Sequence, residues 1–386
     1  MSKGDAKLSG KCYVGGVLYR PALDAVRKYY SRTDILDEIF GAMRVWHVRL
    51  EPGEKLKHRW FNVDDRDRLQ KTLMRLLDRM DGNRELVKFP YFRIDGRRHE
   101  PVTSWEDDHL WGLDLMMEKD GRTWRECWDA VTPMIEILHH FGVHYWLKYT
   151  GHHSLHVMIP AESFPTRIGE LNQVEYVPDL YRRMVTFFAR ICFQPVDESG
   201  FHGARGTNMP YSLNEDTGLL NYPVLKEEIQ GFDPVKAHPD NAKTRSFWRK
   251  FPDEKRGSAE PLIQEVLRPF HEQSPSYDGV SDKPPVTLDE VLEQFASRSQ
   301  RERKEAVIRL PWFNEPEAKD RLFEALHDRS LRVRKAAIKA LAGVDDTRCE
   351  EALRSALAES SPKLTPLIQA GLRLIASVNA LRESYH

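Results

Sequence analysis

From Thr287 onward the chain repeats itself every 31 residues, and a repeat of that length admits few folds. Phe295, Leu326 and Leu357 stand 31 apart, as do Ala306, Ala337 and Ile368, and Leu310, Leu341 and Leu372. Ser299, Ser330 and Ser361 recur at the turn of each unit. A unit this short is one helix pair. It cannot bury its apolar stripe alone, so three units are expected to stack into a short solenoid over 287–386. Arg301, Arg303, Lys304 and Arg309 in the first unit, with Arg329, Arg332, Arg334, Lys335 and Lys339 in the second, make a basic surface. That surface reads either as a solvated helix face or as a face for nucleic acid or a protein partner.

A second character fills the N-terminal part. Val143 to Pro160 holds two apolar runs rich in aromatic and β-branched residues, which favours strands. Between them Gly151, His152, His153 and Ser154 mark a tight connection. A hairpin is expected, with Thr150, Ser154 and three histidines crowded at one end. Hydroxyls, histidines and backbone N–H groups around a small-residue turn suit an anion. Upstream, Val45–Leu50 reads as a strand after a helical stretch over 18–45. His109–Gly121 reads as one strand, whose alternation puts Trp111, Leu113, Leu115 and Met117 on one face. Gly112, Asp114, Met116 and Glu118 share the other. A helix with Trp128, Val131, Ile135 and Leu138 on its stripe follows and ends before Gly142.

Downstream of a further helix come Val196-Asp197, Arg205, Pro210-Tyr211-Ser212-Leu213-Asn214 and Thr217-Gly218. These groups, with Thr150-Gly151-His152-His153-Ser154-Leu155-His156 and the carboxylate strand, stand in the order and spacing of three motifs. In that arrangement residues 15–235 resemble the catalytic subunit of the archaeo-eukaryotic primases. The segment from Asp328 to Val344 resembles the short HEAT-like repeats. The first resemblance implies an α/β (α+β) catalytic core with an RRM-like sheet, followed here by the all-α HEAT-like solenoid. It implies that Asp114 and Asp197 hold Mg²⁺ or Mn²⁺, with Glu118 on the same face as a further carboxylate. Hard carboxylate oxygens suit those ions. It implies further that Arg44, Thr150, His152, His153, Ser154, His156 and Arg205 hold nucleotide phosphates, and that Ser212 and Asn214 line the nucleotide pocket. Arg59 is a second match for the arginine of the first strand. Two positions depart from the pattern. Gly112 stands where the first carboxylate of an Asp-x-Asp pair is usual, and Asp216 stands where a lysine precedes Thr-Gly.

Two functions follow from this pattern. One is primase-type nucleotidyl transfer, in which a nucleic-acid 3′ hydroxyl attacks the α-phosphate of an NTP or dNTP on a DNA template. The other is a degenerate member that binds nucleotide or nucleic acid and recruits protein partners through its repeats. Composition bounds both. With 58 Lys+Arg against 59 Asp+Glu, nucleic-acid binding must come from a local patch. Four scattered cysteines without a Cys-x-x-Cys pair indicate neither a disulfide framework nor a zinc site. The N-terminus lacks the apolar core of a signal peptide, and no 18-residue apolar run exists, so a cytoplasmic protein without a membrane span is expected. Composition shifts place the catalytic-type domain at 1–235, a Pro- and Lys-rich linker or extension at 236–286 and the repeats at 287–386.

Overall fold

The computed structural model describes residues 13–14, 17–18, 23–45, 48–51, 61–62, 67, 70–71, 74–75, 91–94, 97–98, 110–112, 114–120, 124–152, 154–194, 196, 207–214, 217–245, 247–249, 251–269, 272–274, 276–281, 283–344 and 347–385. These residues form two compact units. The first draws on Met1–Val131, Tyr145–Glu162 and His202–Arg256; the second draws on Thr132–His144, Ser163–Phe201 and Gly257–His386. The units interleave along the chain, whereas the composition shifts at 235 and 287 are sequential.

In chain order the first unit opens with β1 (Tyr13–Val14), β2 (Val17–Leu18), α1 (Leu23–Tyr30), α2 (Thr33–Val45), β3 (Val48–Glu51), β4 (Phe61–Asn62), β5 (Tyr91–Ile94), β6 (Arg97–Arg98), β7 (Leu110–Gly112) and β8 (Leu115–Asp120). The helix α3 (Trp124–His140) precedes β9 (Trp146–Tyr149) and β10 (Ser154–Ile159). The chain continues through β11 (Arg167–Ile168), β12 (Leu171–Asn172), α4 (Gln173–Ile191), β13 (Thr207–Asn208) and β14 (Tyr222–Val224). The short α5 (Glu260–Leu267) then leads to α6 (Leu288–Phe295), α7 (Gln300–Arg309), α8 (Pro316–Ala325), α9 (Leu331–Val344), α10 (Thr347–Ala358) and α11 (Thr365–Tyr385).

Two four-stranded sheets organise the first unit, in the orders β14-β9-β10-β8 and β13-β5-β3-β4, with every neighbouring pair antiparallel. The β9–β10 hairpin forms as its alternation requires. Leu147, Tyr149, Leu155 and Val157, with Leu115 and Met117 of β8, are buried on one face. Rings extend that core, Phe232 standing 5.3 Å from Tyr149 and 6.3 Å from Tyr222.

Two strand expectations change. Val45–Leu50 is not one strand: α2 runs through Val45 and β3 begins at Val48. Arg44 therefore sits on a helix and not on the first strand, because the apolar pattern of the preceding helix carries on to Val45. The strand expected over His109–Gly121 is divided into β7, Leu110–Gly112, and β8, Leu115–Asp120. Its first part pairs with β6 and its second with β10. Gly112 ends β7 and Asp114 stands just before β8, so the two do not share a strand face.

In the second unit the three helix pairs appear where the 31-residue period places them. Phe295, Leu326, Ala306, Ala337, Ile368, Leu310 and Leu341 are buried. Ser299 Oγ accepts the Glu302 N–H, and Ser330 Oγ accepts the Arg332 N–H at 3.2 Å, so these two serines serve as helix starts. Consecutive units are clamped by Arg303, which donates Nε and Nη2 to the Asp328 carboxylate at 2.7 and 3.1 Å. The 236–286 segment is ordered within its described part. In α5 it buries Leu262, Ile263, Val266 and Leu267.

α4 also belongs to this second unit, packing against α9 and α11. Its N-terminus carries a full capping box: Asn172 Oδ1 accepts from Glu175 N, and Glu175 Oε2 accepts from Asn172 N. A Cβ added to Gly343 of α9 would lie 2.6 Å from the Thr186 side chain of α4, so the close approach requires glycine there.

Candidate nucleotide-binding site

The polar face of the β14-β9-β10-β8 sheet carries the candidate site. Register places Lys148, His156 and Glu118 side by side across β9, β10 and β8. Directly opposed residues in an antiparallel sheet share a face, so these three side chains form one row. His156 Nε2 lies 3.2 Å from Glu118 Oε1. Ser154 Oγ donates to the same oxygen at 3.1 Å, and Thr150 Oγ1 is 2.9 Å from Ser154 Oγ. Thr150, Ser154, His156 and Glu118 thus make one hydrogen-bonded cluster. His156 is 6% exposed, more deeply set than a hairpin end suggests, because it is the third residue of β10 and is flanked by strands on both sides.

Lys148 is the residue that sequence reasoning passed over. It is 2% exposed, and its Nζ donates to the Asn208 carbonyl on β13. That bond brings the polar face toward the second sheet. Burial pulls the ammonium down to about 7, and Glu118 acts in the other direction. The signal was available in the alternation: Trp146 and Lys148 share one face of β9, and a lysine inside a buried strand needs a partner.

The turn between β9 and β10 is held from outside by the Pro210–Gly218 stretch. Asn214 Nδ2 donates to the Thr150 carbonyl at 3.0 Å across a separation of 64 residues, and Thr217 Oγ1 donates to the Gly151 carbonyl across 66. Asn214 Oδ1 in turn accepts from Thr217 N at 3.2 Å. Gly151 has φ +76°, and a Cβ there would lie 2.7 Å from both Asn214 Cβ and the Leu219 carbonyl oxygen. Only glycine fits. The loop that grips this turn is itself anchored on α1: Tyr29 OH donates to the Tyr211 carbonyl at 2.9 Å, and Tyr30 OH accepts from Leu213 N at 3.0 Å. Two stretches far apart in sequence are therefore interlocked.

The remaining expected residues fall in different places. Asp114 lies just before β8, and its Oδ1 accepts from Ala161 N at 2.8 Å. Ser212 is fully buried, and its hydroxyl donates to the Met209 carbonyl at 2.7 Å, so it holds its own loop together. Asn214 is likewise a positioning residue for the turn. His152 sits at the turn, where its carbonyl accepts from Tyr149 OH at 2.6 Å. Asp197, Arg205, His153, Asp216 and Arg59 lie outside the described residues, as does the side chain of Arg44.

A divalent cation needs oxygen ligands converging within about 2.0–2.6 Å of one point. Asp114 and Glu118 are four positions apart, about 13 Å along an extended chain, with Met116 between them. Glu118 is also engaged by His156 and Ser154. Among the described residues no group of three His, Cys, Asp or Glu could hold a metal ion. Asp197, the other carboxylate expected to hold Mg²⁺ or Mn²⁺, lies outside the described residues.

Comparison with known proteins adds a family for one part of the chain. Residues 288–369 match the HEAT repeats family model. No curated protein matches the chain by sequence. Among solved structures, the polymerase domain from Mycobacterium tuberculosis ligase D in complex with DNA is similar at a TM-score of 0.35 and 11% identity, covering 57% of this chain and 86% of that one. At so low a score no residue of one is matched to a residue of the other. Among the described residues no helix is long and apolar enough to cross a membrane.

Proposed function

We propose that this chain is a primase-type protein whose β9–β10 turn binds the phosphates of a nucleotide or nucleic acid. The observation that carries the reading is the interlock of Asn214 and Thr217 with the carbonyls of Thr150 and Gly151. An ordinary surface hairpin has no need of a second, distant loop to fix its turn. A turn that must present N–H groups and hydroxyls to an anion does need it, because preorganised donors cost nothing to reorient. Thr150, Ser154 and His156 supply the donors, and Lys148 lies beneath them in the same row.

Glu118 tests the reading, since a carboxylate beside a phosphate opposes binding unless a cation lies between them. In calorimetric titrations with ATP or dATP without divalent metal, Glu118→Gln is expected to tighten binding at least tenfold, equivalent to ~1.4 kcal/mol. Unchanged or absent binding in both proteins would overturn the proposal.

The second reading is metal-assisted nucleotidyl transfer, which Asp114 favours by keeping a carboxylate at the edge of the polar face. It requires Asp197 to complete the ligand set. Extension of a primed template in Mg²⁺ or Mn²⁺, abolished by Asp114→Ala and by Asp197→Ala, would establish it. In that case Glu118→Gln would weaken nucleotide binding in the presence of metal. Substituting Gly112 by Asp is not expected to restore a carboxylate pair, because Gly112 pairs with Arg97 in a different sheet.

A further inference from the structure

Charge is sorted by helix in the repeat region. The first helices of the pairs are acidic or mixed: α6 carries Asp289, Glu290 and Glu293 and no base. The second helices are basic, and α9 carries Arg332, Arg334, Lys335 and Lys339 with no acid at all. α7 and α9 pack against each other, so the repeat period brings their bases into register. Arg298, Arg301 and Lys304 of one unit correspond to Arg329, Arg332 and Lys335 of the next. Arg329 Nη2 donates to the Arg298 carbonyl at 3.1 Å, across the 31-residue repeat, so the two turns are direct neighbours. All six residues are exposed. Of the acids beside them on α7, Glu305 is bound to Arg301 at 3.0 Å and Glu302 accepts from Ser297 Oγ.

We infer that this two-rung ladder is a sequence-independent binding face for the phosphate backbone of a nucleic-acid duplex. Successive bases on one helix lie about 5 Å apart, one turn of rise. Neighbouring helices lie about 8–10 Å apart. Such a grid offers cations at a density that a polyphosphate chain can match by releasing its counterions. A protein partner would be expected to insert aromatic or aliphatic anchors into apolar spots at the centre of the face. Among the described residues the exposed large hydrophobic side chains are Leu225 and Val235, and neither lies in the repeats. The face is charged without being sticky, which fits an anionic backbone better than an acidic peptide. It is independent of the β9–β10 turn and stands whether or not that turn binds phosphate.

The test uses the full chain and fluorescence anisotropy with two labelled 20-base-pair DNA duplexes of unrelated sequence, an RNA duplex of equal length, and a poly-glutamate peptide as the acidic-protein control. Wild type is expected to bind both DNA duplexes equally, with log affinity falling by about 5 per decade of salt for six contacts. Arg332→Ala with Lys335→Ala should lower that slope by about 2 and weaken binding about tenfold or more, and Arg301→Ala with Lys304→Ala should do the same. Circular dichroism of each double variant should match wild type, since all four side chains are exposed. Weaker RNA binding would assign the face to DNA, and equal binding to either duplex. Duplex affinity unchanged in both double variants, or stronger binding of poly-glutamate than of duplex, would overturn the inference.

Discussion

At Lys148 the chain sets an ammonium among groups that replace water poorly, and its stability should titrate as a result. The unfolded lysine has a pKa of ~10.4, and the folded one is drawn down to about 7 by burial. Between those values the unfolded state binds the extra proton, so stability rises with pH across the window. Below about 7 both states are protonated and the full cost of burying the charge is present. Denaturant unfolding at pH 6.5, 8 and 9.5 should show wild type gaining on Lys148→Met by a few kcal/mol, on the order of one per pH unit. Parallel profiles would mean that Lys148 is neutral throughout or better hydrated than its place suggests. Gly151→Ala tests the turn itself. With φ at +76° and no room for a Cβ, it should cost at least about 1–3 kcal/mol. It should also abolish nucleotide binding through loss of the Asn214 and Thr217 anchors. A variant of wild-type stability would show that the 214–219 backbone moves aside.

Among the elements, α4 has the most consequential packing, through a single buried arginine. Arg183 is 1% exposed, and its guanidinium donates to the carbonyls of Val266 at 3.0 Å and Arg268 at 3.1 Å, and to that of Gly343. These are the C-terminal ends of α5 and α9, where unpaired carbonyls gather partial negative charge. Arg183 thus donates to carbonyls at two helix ends at once. Arg183→Met keeps the aliphatic stem and removes the guanidinium from all three carbonyls. Gln273 Nε2 still donates to those of Val266 and Arg268, so the change is expected to cost about 2–4 kcal/mol, chiefly through the Gly343 carbonyl. A loss under 1 kcal/mol in thermal or denaturant unfolding would mean that water or a neighbouring side chain takes over. Its neighbour Arg190 works similarly, donating to Gln273 Oε1 at 2.7 Å, with burial pulling its guanidinium down to about 10.

For the molecule as a whole, the question is whether the repeats stand alone. Nearest-neighbour stacking predicts that 287–386 folds by itself. In the full chain, however, α9 and α11 also pack on α4, and Arg382 donates to the carbonyls of Leu267 and Arg268. A fragment of residues 287–386 should therefore be helical by circular dichroism and melt well below the corresponding transition of the intact chain. Equal melting temperatures would show that α4 and α5 contribute nothing to the solenoid.

The helical repeats, the β9–β10 hairpin and the end of α3 at Gly142 were legible because each follows from local periodicity or a single turn residue. The 31-residue period picked out nine apolar positions of which seven are buried in the stack, while Leu357 and Leu372 are half-buried. Periodicity could not show that the strand at Leu110 breaks after Gly112, because only the pairing of β7 with β6 and of β8 with β10 makes the break favourable. Nor could it assign α4 and α5 to the repeat unit, since Arg183 finds its partners 83 to 160 residues away. That Thr150 and Ser154 lie close together at one end of the hairpin follows from residue type and order. Their burial, the Lys148–His156–Glu118 row and the grip of Asn214 and Thr217 were decided by tertiary structure, because register across strands and contact between distant loops leave no period in a sequence.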